Sequence, residues 1–120
     1  MTIEIKRCGA QGDVLLRRVA GVPKDAVVVP RENGAIIVTH SETQHHHAIK
    51  DDGVAMFEVP GNPLVAYLRM DIGVSADLEH LRPYDTHETL KLLGNKKTKT
   101  VWEVRRQREW SPEGWQRVVD

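Results

Sequence analysis

The chain has 120 residues, the size of one ordinary domain, and its 17 Lys and Arg balance its 17 Asp and Glu. With 40% hydrophobic and 28% charged residues it is not a disordered tail, and no apolar run approaches the roughly 20 residues that span a bilayer. Charge neutrality removes the simple electrostatic argument for a nucleic-acid or membrane partner.

In chain order, Met1–Arg7 alternates apolar and charged residues, unlike the continuous apolar core of a signal peptide. Cys8 is the only cysteine, so no intramolecular disulfide can form, and a reducing, cytoplasmic setting is expected. Short apolar runs rich in β-branched residues then recur, at 13–19, 26–29, 35–39, 54–59, 64–70 and 100–108. Turn formers separate them. Asn33-Gly34 and Asp52-Gly53 are hairpin signals, because both turn positions tolerate positive φ. No long helical pattern intervenes, which predicts a single mainly β domain over residues 1–120, a small antiparallel β-barrel or β-sandwich.

At most one or two short helices fit this pattern. Residues 85–94 read either as a helix, with Asp85 as N-cap, Glu88 in the capping box and Gly94 as the stop, or as a strand with Leu90 and Leu92 on one face. A single helical turn is expected from Ser111, followed by Pro112 and Glu113.

Three of the six histidines are consecutive, His45, His46 and His47. On a strand His45 and His47 share a face, a spacing that presents two imidazole nitrogens to one transition metal. Imidazole suits Zn, Fe, Ni, Cu and Mn to differing degrees, so ligand type alone does not choose among them. A catalytic centre needs a third protein ligand and an open position. His87 and His80 are the candidates, with His40 and Glu42 weaker ones. Glu88, beside His87, is the nearest candidate for a general base. The competing account is a polar loop tip that carries histidines on its surface.

The chain resembles a group of small, largely uncharacterised bacterial and phage proteins. The resemblance rests on Gln11-Gly12-Asp13-Val14-Leu15, Pro30-Arg31-Glu32-Asn33-Gly34, Gln44-His45-His46-His47-Ala48-Ile49, Asp85-Thr86-His87-Glu88-Thr89-Leu90 and Val104-Arg105-Arg106-Gln107-Arg108-Glu109-Trp110. It implies that His45 and His47 fall on the two fixed histidines of a Gly-His-x-His-x-Ile element. His87, and at its start His80, fall on a later His-Glu-Glu-His-like element. Gln44 replaces the usual glycine, and Leu81-Arg82-Pro83-Tyr84 are inserted between the later histidines. An early HxH with a later histidine is also similar, more loosely, to the metal sites of cupins.

The C-terminal run alternates so that Trp102, Val104, Arg106, Arg108 and Trp110 share a face. Arg106 and Arg108 are therefore candidates for phosphate contacts to single-stranded nucleic acid, with Lys96, Lys97 and Lys99 extending the patch. Solvated arginines beyond an apolar core explain the pattern equally simply. Phosphate-loop, dinucleotide, zinc-protease and serine-hydrolase motifs are missing from the sequence. Three functions remain: a protein holding one divalent transition metal, with enzymatic activity undecided; a phage or mobile-element assembly module without metal; and, less favoured, a single-strand nucleic-acid-binding β domain. In the second, Trp110 and Trp115 offer a contact patch, and the partner could be a second copy of the chain.

Overall fold

The computed structural model describes residues 2–11, 14–39, 46–81, 89–106, 108–111 and 114–117. The described residues form strands and no helix. In chain order these are β1 (Thr2–Ile5), β2 (Cys8–Gln11), β3 (Val14–Val19), β4 (Val27–Val29), β5 (Ile36–Thr39), β6 (His46–Ile49) and β7 (Val54–Val59). They continue as β8 (Asn62–Met70), β9 (Ala76–Leu81), β10 (Thr89–Leu92), β11 (Thr100–Arg106), β12 (Arg108–Ser111) and β13 (Gly114–Arg117).

Two sheets stack face to face as a sandwich. The first has the order β1-β10-β9-β6-β5 and the second β2-β3-β11-β8-β7-β4, while β12 and β13 form a separate ribbon. All described pairings are antiparallel except β1 with β10, which is parallel. Alternation puts one side of each strand inside. Val14 and Leu16, Met56, Ala66, Leu68 and Met70, and Trp102 and Val104 meet Ile36 and Val38, Ile49, Leu78, and Leu90 and Leu92 across the gap. Trp102 is the largest fully buried side chain.

Residues 89–92 are strand, which resolves that part of the 85–94 ambiguity; Asp85–Glu88 lie outside the described residues. Leu90 and Leu92 both face the core, and β10 is bonded on both sides, to β1 and to β9. The helical turn expected from Ser111 is overturned. Ser111 pairs with Gly114 in the β12–β13 ladder, so the chain reverses there as a ribbon.

The connections β4–β5, β6–β7 and β8–β9 each carry the chain from one sheet to the other. Asn33 and Gly34 adopt the positive φ expected of them, 52° and 81°, but the Glu32–Ala35 bridge they close is isolated rather than a full hairpin. The opposite end of the sandwich holds the other group of strand ends. The C-termini of β2, β5, β9 and β11 lie there, with the N-termini of β3, β6 and β10.

Candidate functional site: a buried imidazole pair

On β6, His47 has the parity of Ile49, and on β9, His80 has the parity of Ala76 and Leu78. Both histidines therefore point inward, although nothing apolar in them asks for it. His47 is fully buried and His80 is 9% exposed. The antiparallel register sets them directly opposite each other, and their rings stack with centroids 4.3 Å apart and planes 9° from parallel. Thr39 is the partner of His47 on the other side, brought there by a register shift after Ile37. The inner face of this sheet thus ends in a row of Thr39, His47 and His80. The buried Thr39 hydroxyl has no hydrogen-bond partner among the described residues.

Gln11 reaches this row from the other sheet. Its Nε2 donates to the Leu78 carbonyl at 2.9 Å, and its Oε1 lies 2.8 Å from His47 Nδ1. A carbonyl can only accept, so the Leu78 contact turns the amide nitrogen away from His47. Oε1 then faces the imidazole, Nδ1 carries the proton, and Nε2 of neutral His47 holds the lone pair. Metal-binding histidines commonly have this support, with the second ring nitrogen donating to a fixed acceptor.

The stacked arrangement is not itself a chelate. Near-parallel stacked rings keep the two in-plane lone-pair axes from meeting, so one ion shared by both rings requires one imidazole to turn about χ2. Among the described residues no group of three or more His, Cys, Asp or Glu is placed to hold a metal.

Of the four histidines expected as ligands, the structure brings His47 and His80 together. His45 and His87 lie outside the described residues, as do Glu88, His40 and Glu42. Strands β5 and β9 end at Thr39 and Leu81 beside the imidazole pair, and β6 begins there at His46. Gln11 and Thr39 were not legible as site residues. Gln11 does open the Gln-Gly-Asp-Val element, but nothing in its neighbours announces a partner on the opposite sheet.

Arg106 is a correction. It shares the inner face with Trp102 and Val104, and its side chain is 4% exposed. Nη1 donates to Glu58 Oε2 at 2.8 Å and to the Pro63 carbonyl at 2.9 Å, and Nη2 lies 3.9 Å from Met56 Sδ. A guanidinium so enclosed does not reach a phosphate in solvent. The strand also ends at Arg106, and the side chain of Arg108 lies outside the described residues. Cys8 is exposed, and Asp51 accepts the Asp77 backbone N–H at 3.2 Å, a long-range contact to β9.

Fold and site together define a small two-sheet β-sandwich with a buried, hydrogen-bonded imidazole pair at one end. A family model described as a domain of unknown function, DUF8820, matches residues 10–107, and the chain belongs to that family. No curated protein and no solved structure matches it. No helix among the described residues is long and apolar enough to cross a membrane.

Proposed function

We propose that this DUF8820 chain binds one divalent transition metal, Zn, Fe, Ni or Mn, at the histidine end of the sandwich. His47 and His80 are the ligands from the sheet, and His45 and His87 are the further ligands. The observation that carries this reading is the Gln11 hydrogen bond. It orients a fully buried His47 with the proton on Nδ1 and the lone pair on Nε2, the state an imidazole ligand needs. Sequence adjacency supports the larger ligand set, since His45 directly precedes β6, which carries His47, and His87 follows β9, which carries His80. With His47, His80 and one of His45 and His87 as its three protein ligands, such a centre would keep an open position for a water to be activated, with Glu88 as the general base.

The test is elemental analysis of untagged protein purified without a nickel column, run beside the His47→Ala/His80→Ala double variant. About one equivalent of a single metal in the native chain and none in the variant is the expected result. Absence of metal, with no thermal shift on adding Zn, Fe, Ni or Mn, overturns the proposal. The ribbon favours the assembly alternative, since β12–β13 is separate from both sheets and pairs Trp110 with Trp115 in register. That account predicts a concentration-dependent oligomer whose size does not respond to metal.

A further inference from the structure

The outer face of the six-stranded sheet is not an ordinary solvated surface. One row of paired residues crosses it from strand to strand: Arg17, Glu103, Tyr67, Phe57 and Val28. Two aromatic rings, Tyr67 and Phe57, therefore sit side by side on adjacent strands, each half-buried. The guanidinium of Arg69, one position along β8 on the same side, lies 4.7 Å above the Phe57 ring.

The charges on this face are one-sided. Among the described strand residues it carries Arg17, Arg69 and Arg105 against the single carboxylate of Glu103. Glu103 is almost buried because both flanking guanidiniums close over it, Arg105 at 2.8 Å and Arg17 at 3.3 Å. One carboxylate shared by two guanidiniums leaves a net positive charge. The arginine side chains are 60% and 64% exposed and keep N–H donors turned to solvent. Between them lies a depression of about 560 Å³, floored by Cys8, Ala10, Leu15 and Leu16. On its far side a second groove is lined by Lys6, Arg7, Arg17 and Arg18 without any acidic residue.

From this juxtaposition we infer that the outer sheet face binds single-stranded nucleic acid, with Tyr67 and the apolar depression taking bases and Arg17, Arg105 and Arg7 taking phosphates. Single strands are held where cations track the backbone and flat side chains receive the bases, and both are present here on one open sheet. Charge complementarity selects this occupant over a second copy of the chain, which would set the same arginines against each other. Overall neutrality hides the asymmetry, because the compensating acids are elsewhere on the molecule. The surface is distinct from the imidazole pair, so this inference and the metal reading stand or fall separately.

The experiment is fluorescence anisotropy with a labelled oligothymidylate across a salt series, on the native protein and on Arg17→Gln/Arg105→Gln, Tyr67→Ala and Tyr67→Phe variants. Binding should weaken with salt, and the arginine double variant should flatten the log–log slope by roughly 1.4, about 0.7 for each phosphate that is no longer neutralised. Tyr67→Ala should cost between about five- and a hundred-fold in affinity. Tyr67→Phe should restore most of it. No binding at low salt, an unchanged slope in the arginine variant, or inorganic polyphosphate binding as tightly as the oligonucleotide would each overturn the inference.

Discussion

The Gln11 amide joins two sheets with one group, giving its N–H to Leu78 and its oxygen to His47. Gln11→Leu keeps the size but removes both bonds. Chemical denaturation should show a loss of about 1–3 kcal/mol for the buried polar atoms left behind. If the imidazole pair holds metal, affinity should also fall by about 10- to 100-fold, because the ring is no longer oriented. Glu103 makes a different kind of prediction. Burial pushes its carboxyl up, but the hydrogen bond and charge of Arg105, then of Arg17, outweigh that and hold it below its ordinary value of 4.5. A carboxyl lowered on folding stabilises the protein above its unfolded value and loses that contribution as pH falls through the folded one. Urea unfolding of the native chain and Glu103→Gln should therefore differ near neutrality and converge as pH falls well below 4.5. The exposed guanidiniums limit the difference to about 1 kcal/mol. Neither residue's role was legible in sequence, for the same reason: each depends on partners from strands far away in the chain. The alternation put His45 and His47 on one face of a strand, but did not say which face is inside.

At the level of elements, alternation was a good guide. The run at 54–59 is β7 to the residue, and those at 13–19, 26–29, 35–39 and 64–70 lie within two residues of β3, β4, β5 and β8. The strand β9 carries only Ala76, Leu78 and His80 inside, without a β-branched residue, and so gave little signal. Turn chemistry was legible, but its consequence was not. Asn33-Gly34 and Asp52-Gly53 do mark reversals, yet the flanking strands join different sheets, because the hydrophobic faces they follow pack against each other rather than side by side. The Pro30-Arg31-Glu32-Asn33-Gly34 element has a structural account. Arg31 donates to the carbonyls of Gly34, Asp51 and Val54, clipping two of the sheet-changing connections together. Gly94, expected as a helix stop, instead permits a close approach. A Cβ there would lie 1.8 Å from the Val74 carbonyl oxygen, which is backbone and cannot swing aside. Gly94→Ala should cost about 1–3 kcal/mol in thermal or urea unfolding, as overpacking does.

At the scale of the whole molecule, five of the ten described strand pairings join strands more than 20 residues apart in sequence. The pairing of Val14 with Arg106 is the extreme case. Such topology closes large loops before any pairing rewards them, so stopped-flow refolding followed by tryptophan fluorescence should fall in the millisecond-to-second range. The family match begins at residue 10 and leaves out β1. Deleting residues 1–7 tests what that strand adds: the β10 edge loses its partner and the core loses Ile5. A loss of about 1.5–3 kcal/mol is expected from that side chain's burial alone, with increased self-association through the uncovered edge.

The sheet-changing connections also bear on inheritance. Because the chain returns repeatedly from one sheet to the other, each sheet draws strands from both halves of the sequence. A cut anywhere between β2 and β10 divides both sheets, because β1 shares one with β10 and β2 shares the other with β11. A recombination junction in that span separates strands of one sheet, so the domain moves into a new gene as an undivided unit.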